Sequence, residues 1–414
     1  MHNIFRSEVV ILGAARTPVG RFDGSLKDFT AIELGGLAIA EAMRRARVEA
    51  SDVRVVSMGS VVSAGFGASP AKQAALKGGL TPWVHTRVVE SVCGSATDAI
   101  AITCESIVAG GPDLCIAGGM ESRSNAPYLV GPKLTRKTAH YEKGQRMQVK
   151  RAGAYRFAFA ENGEEQLGAA EMRDSTTYDG LFWPPDKKFM REHALAFAKK
   201  AGSSIELVNQ MSGESYRKAM QATREGWFTD EIVACGEAGV DDIPSPEKQA
   251  DALAQSAEDI ASSYNSSTPA DCGGALVIGS GDRARSLGLK PIAVIRGYSR
   301  VDGPPEEYLA APILAAQELR QALRENGYRD TWDVVEANES FGIQLPLFAE
   351  AFPASMINPH GGAIALGHPL GAAGARLMTT LLYSLKRYGK QTGLATTCFG
   401  GGGGYAVAVE MVEG

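Results

Sequence analysis

One spacing occurs twice in this chain, and that repeat limits the folds open to it. The apolar run starting at Val55 lies 38 positions before Cys93 (93 − 55), and the run starting at Val334 lies 38 before Ala372 (372 − 334). Each interval opens on a buried-strand pattern and closes on a constrained turn that leads into a helix. Around the first interval, strand patterns at 9–15, 53–62, 85–89 and 114–118 alternate with helical spacing at 31–47, at 71–77 and from 93 to 109. Around the second, strand patterns at 292–298, 334–337, 393–398 and 405–411 enclose helical patterns at 310–326 and 371–388. Such alternation predicts a layered α/β core with a largely buried sheet. Two similar halves facing each other bring Cys93 and the loop around His368 to one shared interface.

Residues 124–264 have a different character. Lys133, Arg136, Lys137, Lys143, Arg146, Lys150 and Arg151 form a basic segment, Pro184 and Pro185 break the chain, and helical patterns follow at 189–201 and 205–223. This reads as an insertion covering one face of the core. Its cations are either a solvated face or a means of holding a phosphate-bearing ligand or a neighbouring subunit.

With 414 residues, 44% of them hydrophobic, the chain has core enough for two or three domains. A net charge of −5 argues against general nucleic-acid binding. No apolar run reaches the roughly 20 residues that span a bilayer, and the opening residues lack the apolar centre of a signal peptide. The six cysteines form no CxxC pair, so neither a metal site nor a disulfide framework is expected. Reduced thiols in a cytoplasmic protein account for them.

The richest stretch chemically is 358–376, where Gly361, Gly362, Gly367, Gly371 and Gly374 and five alanines surround His360 and His368. Pro369 fixes its own φ and biases His368 away from helix, so that imidazole can be aimed. His360 lies outside the constraint and is the weaker candidate. Cys93 sits at a strand-to-helix junction, where a helix N-terminus favours thiolate. Taken alone, a cysteine among small residues is more often a buried hydrophobe. Cys398 precedes five consecutive glycines, 400–404, whose N–H groups can meet a developing oxyanion. Asn338 ends a strand, where an amide holds a water or an oxyanion, or simply caps a turn.

These blocks together resemble the thiolase superfamily. Cys93-Gly94-Ser95 is similar to the family's nucleophile turn. Gly118-Gly119-Met120-Glu121-Ser122 with Asn125-Ala126-Pro127, then Asn338-Glu339-Ser340-Phe341, Gly361 through Pro369 and Cys398-Phe399-Gly400-Gly401-Gly402 follow in family order across nearly the whole chain. The resemblance implies a duplicated five-layered α-β-α-β-α fold with an inserted loop domain. Its halves would be residues 1–123 with 265–288 and residues 289–414, around a loop domain at 124–264. It implies an acyl-CoA C-acyltransferase that thiolyses 3-ketoacyl-CoA or runs the reverse condensation. Coenzyme A and acyl-CoA would be substrates, with no tightly bound cofactor, in a homodimer or homotetramer. By position, Cys93 would accept the acyl group, His368 would activate it, and Cys398 would exchange the second proton. Asn338, through a water, and His368 would form one oxyanion site, and the N–H groups of Cys93 and Gly400 the other. Met190 would line the acyl pocket, Ser267 would lie near the pantetheine arm, and Ser340 and Phe341 would contact the coenzyme.

The chain also departs from the pattern. Ala96 stands where glycine is common, so its methyl either narrows the acyl pocket or tightens helix packing. Glu90 replaces a frequent asparagine, and its carboxylate is expected to raise the Cys93 pKa. Within 236–259 the charges are mostly acidic, with Lys248 the only Lys or Arg, so cationic contacts to the nucleotide end are not visible there. A ketoacyl synthase on another carrier is the nearest rival, disfavoured by Cys398. A non-catalytic acyl-binding scaffold is a second, disfavoured because all four reactive groups are present.

Overall fold

Strand β1 (His2–Arg16) is the seam on which the two halves meet. The computed structural model describes residues 2–130, 160–161, 164–165, 172–256 and 258–412. The first half continues with α1 (Ala31–Ala46), β2 (Val55–Gly59), α2 (Pro70–Lys77), β3 (His85–Val89), α3 (Ser95–Val108), β4 (Leu114–Ser122) and, after the insertion, β5 (Ala270–Ser280). The second half consists of β6 (Ala293–Asp302), α4 (Ala311–Glu325), β7 (Val334–Ala337), α5 (Gln344–Ala351), β8 (Met356–Ile357), α6 (Ala373–Tyr388), β9 (Thr392–Phe399) and β10 (Gly403–Met411).

The strands run in the order β8-β7-β9-β10-β6-β1-β5-β4-β2-β3, with the short strand Gly20–Arg21 added beside β5. Outward from the β1–β6 junction each half shows two antiparallel pairings and then two parallel ones. That palindrome is the repeat seen in three dimensions.

The layers follow from alternation along the strands. Val9 and Ile11 of β1 face a central core with Ile100 and Cys104 of α3, Leu377 and Leu381 of α6, and Val407 and Val409 of β10. Val10 and Leu12 face the other way, toward Ile39 and Ala42 of α1 and Ala74 of α2. On the far side, Ala315 and Leu319 of α4 cover Val335, Leu394 and Ala406. The order is therefore helix, sheet, helix pair, sheet, helix. Local signals agree: α1 starts on a Thr30/Glu33 capping box, and α6 ends on left-handed Gly389.

Two details differ from the sequence reading. Strand β5 was not expected from the pattern, because Gly273, Gly274 and Gly279 interrupt its apolar run. Those glycines are steric requirements: a Cβ on Gly273 would stand 2.2 Å from the Leu34 carbonyl oxygen of α1, and one on Gly274 would stand 2.8 Å from Ala375 Cβ of α6. The repeat is also offset by one residue. The 3-10 turns Val92–Gly94 and Leu370–Ala372 align Cys93 with Gly371 rather than Ala372, because the second connection is one residue shorter. In the insertion, helices Met190–Ala201 and Ile205–Arg224 form where helical spacing predicts them. The basic segment 133–151 lies outside the described residues. Among the described residues, no helix is long and apolar enough to cross a membrane.

Candidate active site

Cys93 occupies the middle of the 3-10 turn between β3 and α3. The residue before it, Val92, has φ +48°, a left-handed conformation that a β-branched side chain adopts only under strain. Hydrogen bonds hold it there: Val92 N–H donates to Glu90 Oε1 (2.8 Å), and Ser95 Oγ donates to the Val92 carbonyl (2.6 Å). The half-buried Cys93 side chain packs with Val61, Val62, Leu370 and Ala126.

Leu370 belongs to the matching turn of the other half, so the two turns meet face to face. Buried Glu121, at the end of β4, ties them together. It accepts the N–H groups of Val61 (3.2 Å), Val62 (3.2 Å) and Gly371 (2.8 Å). Gly371 must lack a side chain for this approach, since its Cβ would stand 2.6 Å from Ser60 Cα.

His368 lies just before that turn, held by its N–H to the Thr268 carbonyl (2.8 Å) and preceded by Gly367 at φ +105°. Its Nε2 lies 3.5 Å from Asn338 Nδ2, which donates to Ser340 Oγ (2.7 Å). Ser340 Oγ in turn lies 3.2 Å from Cys398 Sγ. Asn338 Oδ1 and His368 Nδ1 are buried and have no partner among the described residues. Such atoms are where a water or a reacting oxygen would be received.

The electrostatics give each group a direction. Burial first, and the nearby Cys398 second, push the Cys93 thiol well up; the Gly400 N–H, hydrogen-bonded to the sulfur, and the Arg123 charge oppose this. The expected thiolate bias at the helix start is thus outweighed by desolvation. The expectation for Glu90 fails too: its carboxylate is spent on the Val92 N–H, and the second sulfur is the charge that matters. Burial, helped by Arg123 and Arg376, pushes His368 down to about 3, so the imidazole is neutral at pH 7. Burial raises Cys398 also, against hydrogen bonds from Ser340 and Gln344.

The remaining expected residues converge here. A Cβ on Gly400 would stand 2.9 Å from Met190 Sδ. Met190 and Phe341 pack around Cys398 with Tyr308 and Ile343. Ser267 gives both its N–H and its hydroxyl to the Ser340 carbonyl, each at 3.0 Å. Ala96 is fully buried between the strands, with its methyl 2.9 Å from where a Cβ on Gly119 would stand, so it tightens packing rather than the acyl pocket. His360 is remote from the site, enclosed by Trp227, Phe228 and Tyr388. Sequence reasoning named Ser340 as a coenzyme contact without foreseeing its bridging hydroxyl, and it missed the clasp made by Glu121 and the buried Arg123. Only Ser340 left a signal, its place two residues beyond Asn338 at a strand end. Among the described residues, no group of three or more His, Cys, Asp or Glu is placed to hold a metal ion.

Comparison with known proteins identifies the family. The family of thiolase N-terminal domains matches residues 9–282, and that of thiolase C-terminal domains matches residues 289–411. An acetyl-CoA acetyltransferase of Escherichia coli (strain K12) is 36% identical, over 98% of this chain and 99% of its own. One from Saccharomyces cerevisiae is 32% identical, over 98% and 99%. Among solved structures, the Acat5 thiolase from Ascaris suum in complex with coenzyme A superposes with a TM-score of 0.82 at 28% identity, covering 98% of this chain and 100% of its own.

Proposed function

This chain belongs to the thiolase family and is an acyl-CoA acyltransferase, and we propose that it transfers acyl groups through Cys93, thiolysing 3-ketoacyl-CoA or running the reverse condensation. One observation carries this reading: half-buried Cys93, buried Cys398 and an imidazole linked to an amide meet at the junction of two matching turns. Neutral His368 takes the Cys93 proton, and the sulfur attacks the 3-keto carbon. The bond between C2 and C3 breaks, leaving the acyl group on Cys93 and an enolate of acetyl-CoA. Asn338, through a water, and His368 receive the enolate oxygen, and Cys398 delivers the proton to C2. The thiol of coenzyme A then loses its proton to Cys398 and attacks the thioester, the bond to Cys93 breaks as the new acyl-CoA forms, and the Cys93 sulfur takes back the proton held by His368. The N–H groups of Cys93 and Gly400 stabilise the tetrahedral oxygen in both acyl-transfer steps. Coenzyme A is the carrier, with Met190 against the acyl chain and Ser267, Ser340 and Phe341 along the pantetheine side.

We assign the halves to residues 1–123 with 265–288 and 289–414, and the loop domain to 124–264. A homodimer or homotetramer fits the edge strand β3, which among the described residues pairs only with β2 and lies beside Trp83, 88% exposed. Six free cysteines fit a cytoplasmic location. The activity is tested by mixing protein, acetoacetyl-CoA and coenzyme A and following the loss of enolate absorbance. Turnover is expected, falling at least about 10³-fold in Cys93→Ala. No turnover of 3-ketoacyl-CoA of any chain length would overturn the reading.

A further inference from the structure

Among the described residues three arginines are almost wholly buried, and they differ in their countercharges. Arg16 is paired with Glu231 and Asp241, each at 2.6 Å, and Arg376 lies 3.8 Å from Glu336. Arg123, only 2% exposed, has no carboxylate within ion-pair distance among the described residues. Its Nη2 donates to the Thr176 carbonyl (2.6 Å), while its buried Nε has no partner. Three carboxylates act on it electrostatically, and each accepts hydrogen bonds from other groups, although Asp271 Oδ2 has no partner among the described residues. Glu121 holds the turn N–H groups, Asp174 holds the N–H of Thr176 and the hydroxyl of Thr177, and Asp271 Oδ1 accepts the Ser124 N–H. A buried guanidinium without a close anion is costly, and an anion that visits the site offsets that cost.

The place of Arg123 says which anion that is. It follows β4 at the carboxyl end of the sheet, where ligands of α/β proteins gather. A Cβ on Gly180 would stand 2.8 Å from Leu370 Cδ1 and 3.4 Å from both Nη atoms of Arg123. Leu370 is part of the apolar wall against Cys93. The guanidinium and that wall therefore meet at buried Gly180, which packs on both. The charge of Arg123 is felt at Cys93 and at His368.

Resting on the acyl-enzyme reading above, we propose that Arg123 is a specificity-determining residue that receives a carboxylate at the far end of the acyl chain, so that the substrates include 3-ketoacyl-CoAs of dicarboxylic acids. The chemistry is unchanged. Cys93 sulfur bonds to C3, the C2–C3 bond breaks, C2 takes a proton, and coenzyme A removes the carboxyacyl group as its thioester.

The test compares thiolysis of 3-oxoadipyl-CoA with that of 3-oxohexanoyl-CoA, which has the same length and a methyl end. Wild type is expected to favour the carboxylated substrate in kcat/KM by at least about tenfold. Arg123→Met should reverse that ratio, and Arg123→Lys should give an intermediate value. A wild-type preference for the methyl end, or equal loss on both substrates in Arg123→Met, would overturn the proposal. Should the variants not fold, wild type alone decides, by its substrate ratio and by a succinyl adduct on Cys93 from succinyl-CoA. Refusal of 3-oxoadipyl-CoA with acetoacetyl-CoA accepted would sink this assignment alone. Refusal of every substrate would sink the acyl-transfer reading with it.

Discussion

The turns Val92–Gly94 and Leu370–Ala372 share a backbone and differ in what they carry. Each is a 3-10 turn feeding a helix of the central layer, yet its middle residue is Cys93 in one half and Gly371 in the other. The glycine is forced by contact. A Cβ on Gly371 would stand 2.6 Å from Ser60 Cα, and a Cβ on Gly59 or Gly119 would stand 2.5 or 2.1 Å from the Gly371 carbonyl oxygen, so this turn is wedged against β2 and β4 of the opposite half. Duplication thus supplies two equivalent turns, of which one keeps a nucleophile and the other gives up its side chain to bring His368 and Cys398 close. The comparison teaches that reactivity here comes from asymmetry placed on a symmetric frame.

The largest effect expected from disturbing that asymmetry is on rate. Asn338→Ala removes the amide beside His368 Nε2 and Ser340 Oγ, and kcat should fall about 10²–10³-fold with little change in folding. Steady-state kinetics with acetoacetyl-CoA, alongside thermal unfolding, check this. Full activity would remove Asn338 from the chemistry.

A smaller effect concerns the frame. Gly371→Ala places a methyl against Ser60 Cα and Glu121, and should cost about 1–3 kcal/mol by overpacking. Denaturant unfolding measures it. An unchanged midpoint would mean that the turns meet less tightly than described.

The same contrast explains what could be read in advance. The strand β7, the helix after Cys93 and the loop around His368 were legible because apolar period, proline and glycine each marked them. Strand β5 was hidden because Gly273 and Gly274, which let α1 and α6 approach its two faces, erase the apolar pattern of a central strand. Within the site, Cys93, Asn338, His368 and Cys398 stood out by their neighbours. Glu121 and Arg123 did not, since a carboxylate followed two residues later by a guanidinium reads as ordinary surface. Only the fold reveals that both are buried. The thiolate bias was misjudged for a related reason: the helix start is visible in sequence, whereas desolvation is a property of the packed turn.

An effect seen only in acid separates the two histidines of one stretch. Burial beside Trp227 and Phe228, with Arg387 next in weight, pushes His360 down to about 4. The folded chain therefore resists protonating it, while the unfolded chain takes up the proton near the ordinary value. Stability from this residue is complete above pH 6.5 and declines as pH falls toward 4, by about 1.4 kcal/mol per pH unit. His360→Gln should remove that part of the slope between pH 6.5 and 4. Equal slopes in wild type and variant would contradict it.

The division of labour between the two sulfurs is tested most directly by acetylating the protein with acetyl-CoA and mapping the adduct by mass spectrometry, in wild type and in Cys398→Ser. The account predicts one acetyl group on Cys93 in both proteins, with the carbon–carbon step slowed only in the variant. An adduct on another residue, or its loss when Cys398 alone is changed, would contradict it.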